Sequence, residues 1–306
     1  MTDMQKQRHA LSAGEMAFVD WGEGPPVLLL HGFPTSSALW RREIPLLAQG
    51  MRVIAPDLLG YGESDKPVDA DLSEPAQAGY VRELLQHLGV EEAAVVGHDI
   101  GGAIGQMLAL DGPLDVATLI LMDSACFDAW PVEGVKLIQG VVPEQETAAF
   151  VEDILRATFV IGVKHQDLFE EDSLQGYLRP WLDDPGAFFR AARGLSGNGL
   201  AGRDDELSAL DTPVFLLWGE EDPFLPVDLA ERLNDLLQGS TLAMLPGCSH
   251  FITDDAPHTI GPLIFEYLRS RYLGSSHQHA SQHGSVPIRL ERPPGSGHPG
   301  VPGVQP

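Results

Sequence analysis

The chain has 306 residues, 43% of them hydrophobic, which suits one large α/β domain or a domain with an insertion. Lys and Arg number 19 against 44 Asp and Glu, and the formal net charge of −25 disfavours binding to nucleic acid or to an anionic membrane. Two cysteines exclude a disulfide scaffold, and the polar opening residues and the lack of a long apolar run predict a cytoplasmic protein without a membrane span.

The first half of the chain alternates apolar runs with helix-like segments. Strands are predicted at residues 16–20, 27–30, 52–55, 93–96 and 117–122. Helices are predicted from Ser36 or Ser37 to about Ala48, over 75–88 and over 103–110. This repeated alternation of strand and helix favours a mostly parallel sheet that is covered by helices on both faces.

The sharpest local pattern is Gly-His-Asp-Ile-Gly at 97–101, between the strand that ends near Val96 and the helix that follows. Strand, tight turn and helix together form a nucleophile elbow, which is usually written G-x-S-x-G. Small residues flank the apex because the turn is strained and the helix packs closely on the sheet. Asp99 is the apex residue here, and we expect it at the carboxyl end of the sheet, where such sheets bind ligands.

The alternation stops after the strand at 117–122. Helix-like segments without a buried strand are found at 144–160, 166–178 and 186–192. We therefore predict that residues 125–209 are a helical cap, inserted into a core that is formed by residues 1–124 and 210–273.

The core pattern resumes with predicted strands at 214–218 and 241–245 and helices near 227–237 and 257–272. Residues 274–306 are rich in Gly, Ser, Pro, His and Gln, and we predict a disordered tail there.

Two polar loops follow the last two predicted strands. Asp222 lies in the loop after 214–218, and His250 lies in the loop after 241–245. Because the carboxyl ends of parallel strands meet at one edge of a sheet, we expect both side chains near Asp99. Nucleophile, acid and histidine then follow each other along the chain as in the hydrolytic triad on an elbow.

These motifs resemble the α/β-hydrolase superfamily, and specifically its epoxide hydrolase and haloalkane dehalogenase branch. The resemblance covers about residues 10–273, through His-Gly-Phe-Pro at 31–34, Gly-Tyr-Gly-Glu-Ser-Asp-Lys-Pro at 60–67, and Asp99, Asp222 and His250. It implies the α/β-hydrolase fold, a mostly parallel eight-stranded sheet with helices on both faces and an inserted helical cap. Serine esterases share this scaffold but have Ser at the position of Asp99.

A carboxylate at the elbow changes the chemistry. It is already ionised at neutral pH and displaces a leaving group at a saturated carbon, which gives an alkyl ester of Asp99. His250, oriented by Asp222, would then activate the water that hydrolyses the ester. Backbone N–H groups of Phe33 and Ile100 are the expected oxyanion hole.

The two enzyme classes of this branch differ in how they stabilise the leaving group. Dehalogenases hold halide with a Trp after the nucleophile and a second donor in the His-Gly loop, and this chain has Ile100 and Phe33 at those places. Epoxide hydrolases instead donate a proton from cap tyrosines, sometimes from a Tyr–His pair. Tyr177 and His165 are the only tyrosine and histidine of the predicted cap.

The cap also contains Trp130 and Trp181, which could donate to a halide or line an apolar pocket. Asp123, at the end of the strand at 117–122, is an alternative to Asp222 as the orienting acid. We predict an epoxide hydrolase, with a haloalkane dehalogenase as the first alternative and a non-catalytic ligand-binding protein on the same scaffold as the second. The expected substrate is small, apolar and neutral; no cofactor or metal is expected, and the protein would be a monomer or a homodimer.

Overall fold

The computed structural model describes residues 5–273 and 288–289. In this part of the chain, nine strands form one sheet. Their bounds are β1 (Gln7–Leu11), β2 (Gly14–Trp21), β3 (Pro26–Leu30), β4 (Arg52–Pro56), β5 (Glu92–Asp99), β6 (Asp115–Ser124), β7 (Val214–Gly219), β8 (Thr241–Leu245) and β9 (Ile288–Arg289).

The strand order across the sheet is β1-β2-β4-β3-β5-β6-β7-β8-β9. Strand β2 is antiparallel to both β1 and β4, and every later pairing is parallel. The predicted mostly parallel sheet is therefore confirmed, with its eight strands followed by the two-residue β9. Because β3, β5, β6, β7 and β8 run in one direction, the loops that leave them open on the same edge.

Eleven α-helices are present in the same described residues. They are α1 (Glu43–Leu47), α2 (Glu74–His87), α3 (Ile100–Leu110), α4 (Glu133–Gln139), α5 (Ala148–Gly162), α6 (Glu171–Leu182), α7 (Pro185–Gly194), α8 (Asp204–Ser208), α9 (Val227–Leu236), α10 (Ile252–Asp255) and α11 (Ile260–Leu268). Short 3₁₀ turns at Ser37–Trp40 and Pro143–Gln145 and a π-helical turn at Arg269–Leu273 complete the elements. None of the described helices is long and apolar enough to cross a bilayer.

The central strands form the core because their side chains are apolar on both faces. Val27 to Leu30 on β3 and Val95 and Val96 on β5 are fully buried, as expected for strands with helices on either side. Helix α3 packs on β3, β5 and β6, and its glycines allow this close approach. The sheet around Asp99 is thus a rigid base for the elbow.

Helices α4 to α8 lie between β6 and β7 and include no strand. They cover the segment for which the sequence predicts a cap, and we keep the division into core and cap as a proposal. Buried aromatic side chains hold this segment, among them Phe159, Tyr177, Trp181 and Phe188. We call α4 to α8 the cap helices below.

Two edge strands are not among the strands predicted from the sequence. Strand β1 has the polar sequence Gln-Arg-His-Ala-Leu with mostly exposed side chains, so hydrophobic periodicity does not mark it. The predicted disordered tail, 274–306, lies outside the described residues except for β9, which pairs in parallel with β8 through Ala243 and Met244. The prediction of a disordered tail stays a prediction.

Candidate active site

The elbow is formed as the sequence predicts, with Asp99 as the last residue of β5 and α3 beginning at Ile100. The backbone of Asp99 has φ 55°, an unusual value for a residue that is not glycine. A side chain at Gly101 would collide with the carbonyl oxygen of Leu30, so the turn needs a glycine there. The fold therefore holds Asp99 in a strained conformation that packing around it enforces.

The Asp99 carboxyl group is buried, and its two oxygens have different neighbours. Oδ1 accepts the backbone N–H of Phe33 at 2.8 Å. Oδ2 lies 3.9 Å from Nε2 of His250. Burial raises the pKa of Asp99 to about 6, although His250 and the backbone N–H groups of Ile100 and Phe33 act in the opposite direction. The carboxylate is thus poorly solvated but ionised above about this pH, as a nucleophile requires.

His250 links Asp99 to Asp222. Its Nδ1 is 2.9 Å from Oδ2 of Asp222, so one ring nitrogen faces each carboxyl group. Burial lowers the pKa of His250, but the charges of Asp222 and Asp99 and the hydrogen bond to Asp222 outweigh it, and the pKa is raised. This arrangement orients the imidazole and favours its protonated form.

Asp222 and Asp123 lie side by side at the ends of β7 and β6. Oδ1 of Asp222 accepts the backbone N–H groups of Phe224 at 2.8 Å and Leu225 at 3.0 Å. Asp123, the alternative acid of the sequence analysis, accepts the backbone N–H of Gly219 at 2.8 Å, and the charge of the nearby Asp222 carboxylate helps to raise its pKa. The described contacts of His250 therefore pair it with Asp222 rather than with Asp123.

A cavity of about 300 Å³ opens over Asp99 and His250, within the size range of small-molecule sites. Apart from these two side chains its walls are nearly all apolar. The lining residues are Phe33, Pro34, Asp99, Trp130, Val132, Gly134, Val135, Ile138, Ile154, Ala157, Thr158, Ile161, Phe224, His250 and Phe251.

Of the four predicted cap side chains, Trp130 is the one that lines this cavity. Its indole Nε1 is buried and has no hydrogen-bond partner among the described residues. The indole ring thus lines the site, but its unpaired N–H is enclosed by protein and is not exposed to the cavity.

The other three do not line this cavity, and their expected contact with a leaving group stays a prediction. The Tyr177 hydroxyl donates to Asp254 Oδ2 at 3.0 Å and accepts Arg41 Nη1 at 2.7 Å. Trp181 Nε1 donates to the Pro34 carbonyl oxygen at 2.7 Å. His165 is absent from the cavity wall, and its backbone N–H donates to Asp255.

Most cavity residues from the cap helices are missed by the sequence analysis, although a signal for them exists. Ile154, Ala157, Thr158 and Ile161 follow the spacing of one face of a helix, and all four line the cavity from α5. The same spacing describes the face of α5 that is buried in the core, which is formed by Val151, Leu155 and Phe159, so spacing alone does not identify the face that lines a cavity.

The family model for the alpha/beta hydrolase fold matches residues 25–257. The chain belongs to this family, and the protein is a hydrolase of the α/β type. The resemblance stated from the sequence is thereby confirmed at the level of the family and its fold.

Three relatives indicate the range of activities among similar proteins. A 2-hydroxymuconate semialdehyde hydrolase from Pseudomonas sp. (strain CF600) is 30% identical over 253 residues, which covers 81% of this chain and 88% of the relative. A soluble epoxide hydrolase from Corynebacterium sp. (strain C12) is 28% identical, covering 85% and 95%. Haloalkane dehalogenase 2 from Mycobacterium bovis is 29% identical, covering 83% and 92%. Similar identity to all three leaves the substrate to be inferred from the site.

Proposed function

We propose that the protein hydrolyses a small, uncharged, apolar substrate through an alkyl ester on Asp99. The observation that carries this proposal is an elbow carboxylate with Oδ1 bound by the Phe33 N–H and Oδ2 turned towards Nε2 of His250. A hydroxyl nucleophile would be expected to need the histidine as a base in the first step, whereas a carboxylate attacks without losing a proton.

In the first step, Oδ2 is the attacking oxygen because Oδ1 is already bound to the backbone. A new bond forms between Oδ2 and a saturated substrate carbon, and the bond from that carbon to the leaving group breaks with its electron pair. The negative charge moves from Asp99 to the leaving group. The raised pKa of Asp99 supports this step, since a carboxylate that burial solvates poorly is more basic and gives up its charge more readily.

In the second step, His250 Nε2 takes a proton from water while the water oxygen attacks Cγ of Asp99. The oxyanion develops on Oδ1, where the N–H groups of Phe33 and Ile100 stabilise it. The tetrahedral intermediate then expels the alcohol oxygen, which takes the proton back from His250, and the Asp99 carboxylic acid that remains loses its proton to solvent. Asp222 keeps the ring oriented and stabilises its positive charge.

The walls of the cavity support an apolar, uncharged substrate. Ile138, Ile154 and Phe251 line the cavity beside Asp99 and His250, and no Lys or Arg is among the lining residues. An anionic substrate would therefore meet a carboxylate with no compensating cation, and would pay the full cost of desolvation.

We propose halide, rather than an epoxide oxygen, as the first candidate for the leaving group. A departing halide needs a hydrogen-bond donor but no proton, and the buried, unpaired indole N–H of Trp130 would be such a donor once the ring rotates to turn it into the cavity. An indole N–H is too weak an acid to protonate an epoxide oxygen. Tyr177, the expected acid for that reaction, donates its proton to Asp254.

Epoxide hydrolysis is the second candidate, and the raised pKa of His250 favours it. A protonated His250 would hold its Nε2 proton close to the site of attack and would pass it to the epoxide oxygen as the ring opens. The neutral imidazole that results is the base that the second step requires, and the proton left on the regenerated Asp99 carboxyl then returns to His250, so the protons balance over the cycle.

The test measures bromide release from short and medium bromoalkanes and diol formation from styrene oxide, with wild-type protein and the Trp130→Phe variant. We expect bromide release, and a fall in kcat/KM of about tenfold or more in Trp130→Phe, because a hydrogen bond to a charged group is lost. Trp21→Phe is the matched control, since Trp21 is 39% exposed on β2. Diol without bromide would favour the second candidate. If neither bromide nor diol is formed, the proposal is contradicted and the non-catalytic alternative remains.

A further inference from the structure

Two buried carboxyl groups meet behind His250, and the proposed mechanism uses only one of them. Asp123 is near the end of β6 and Asp222 follows the neighbouring parallel strand β7, and the register of the two strands pairs Met122 with Leu217. Asp123 is fully buried and Asp222 is 7% exposed, and their carboxyl groups are close enough for each to act on the ionisation of the other. Because two adjacent carboxylates without water repel each other strongly, one of the two is expected to keep a proton.

The donors around the pair decide which group is ionised. Asp222 accepts three hydrogen bonds, from the N–H groups of Phe224 and Leu225 and from the ring of His250. Asp123 accepts one, from the N–H of Gly219 on Oδ1, and its buried Oδ2 meets no donor. The donors therefore favour the ionised form of Asp222. If Oδ2 of Asp123 carries a hydrogen, it can donate a hydrogen bond to the Asp222 carboxylate.

The charges nearby act in the same direction. Burial and the carboxylates of Asp222 and Asp255 raise the pKa of Asp123 well above its usual range, whereas His250 holds the pKa of Asp222 below its usual value. The backbone of Asp123 also has φ 40°, so the chain keeps this aspartate in a conformation that few residues adopt. Such a costly placement is typical of residues that serve a site.

We infer that Asp123 is a protonated positioning residue, whose Oδ2–H donates to Asp222 and holds that carboxylate on Nδ1 of His250. The inference rests on the proposed function only for the role of His250 as the base in ester hydrolysis. Asp123 touches neither substrate nor the reacting atoms. It acts by fixing Asp222, which in turn keeps the imidazole turned towards Asp99.

The kinetic test compares Asp123→Asn with Asp123→Leu. The amide of Asn keeps an acceptor for Gly219 N–H and a donor for Asp222, so we expect this conservative variant to rescue function, with kcat within about threefold of wild type. Leu has a similar volume and no donor, and we expect kcat to fall about tenfold or more with KM little changed, since a charge-assisted hydrogen bond is lost. Asp222→Asn, which replaces the ionised group, should lose far more.

The protonation state itself is tested by infrared spectroscopy, which needs neither substrate nor turnover. The difference spectrum of wild type minus Asp123→Asn at neutral pH should contain the carbonyl band of a neutral carboxylic acid that shifts in heavy water. Carboxylate bands in its place would overturn the inference, as would a kcat loss in Asp123→Asn as large as in Asp222→Asn, or full kcat in Asp123→Leu. If no substrate is turned over, the infrared band still shows whether Asp123 is protonated. A failure of this inference can therefore be distinguished from a failure of the proposed function.

Discussion

Replacing Asp99 by Asn should stabilise the fold at neutral pH while it removes the proposed nucleophile. Burial raises the pKa of this carboxyl from its ordinary value of 3.8 to about 6. A raised carboxyl pKa means that folding makes ionisation harder. The folded state therefore bears a free-energy cost above pH 6, which fades as the pH falls and vanishes below 3.8, where the group is protonated in both states.

The size of the effect follows from the shift. About 2 pKa units at about 1.4 kcal/mol per unit give about 3 kcal/mol of lost stability at pH 7.5. Asn is neutral at every pH and nearly the same shape, so Asp99→Asn should raise the free energy of unfolding by roughly this amount at pH 7.5. At pH 4 the gain should fall below about 1 kcal/mol. Urea unfolding of both proteins at the two pH values measures it.

Asp57→Asn is the matched control, because it makes the same change at a buried aspartate with the opposite shift. Lys6 and the N–H groups of Ser37 and Glu63 bind the Asp57 carboxylate. Burial raises the pKa of Asp57, but Lys6, His31 and the hydrogen bond from Ser37 outweigh it and lower the pKa, so this substitution should destabilise the fold at pH 7.5. Unchanged or lower stability of Asp99→Asn at pH 7.5, or a gain that persists at pH 4, would refute the reasoning.

The remaining predictions concern single side chains and pH. Tyr177→Phe should cost about 1.5–3 kcal/mol of stability, through the lost hydrogen bond to Asp254, with kcat within about twofold, whereas Tyr80→Phe at a more exposed tyrosine should cost under about 1. A large loss of kcat in Tyr177→Phe would restore its role as a proton donor. His250→Gln should trap the ester, which mass spectrometry of the intact protein would detect as added alkyl mass. Ester formation should slow below about pH 6, where Asp99 gains a proton; a flat rapid-quench profile from pH 5 to 8 would contradict this.

The elbow was predictable because its geometry is local. A β-branched strand, a small-residue turn and an apolar helix lie within one short stretch, and the structure forms them there around Asp99. The loops of Asp222 and His250 were placed by a rule of topology, since the strands before them are parallel. Strand β1 was not predicted, because an exposed edge strand needs no apolar periodicity and forms by backbone pairing to β2.

The cap side chains were not predictable because their partners are far away in the chain. Tyr177 is 136 positions from Arg41 and 77 from Asp254 in the chain. Its hydroxyl forms hydrogen bonds with these two charged side chains. The indole N–H of Trp181 likewise donates a hydrogen bond to the Pro34 carbonyl oxygen. A sequence indicates that a tyrosine or tryptophan has a polar atom to satisfy, but tertiary packing chooses the partner.

Bond formation between Asp99 and substrate carbon is tested most directly by one turnover in heavy-oxygen water, with enzyme in excess over a bromoalkane. Oδ2 supplies the product oxygen in that turnover, and water replaces it by attack on Cγ. We therefore expect an unlabelled alcohol and one heavy oxygen in the peptide that contains Asp99, both measured by mass spectrometry. A labelled alcohol from the first turnover, with an unlabelled peptide, would mean that water attacks the substrate directly and would contradict the ester intermediate.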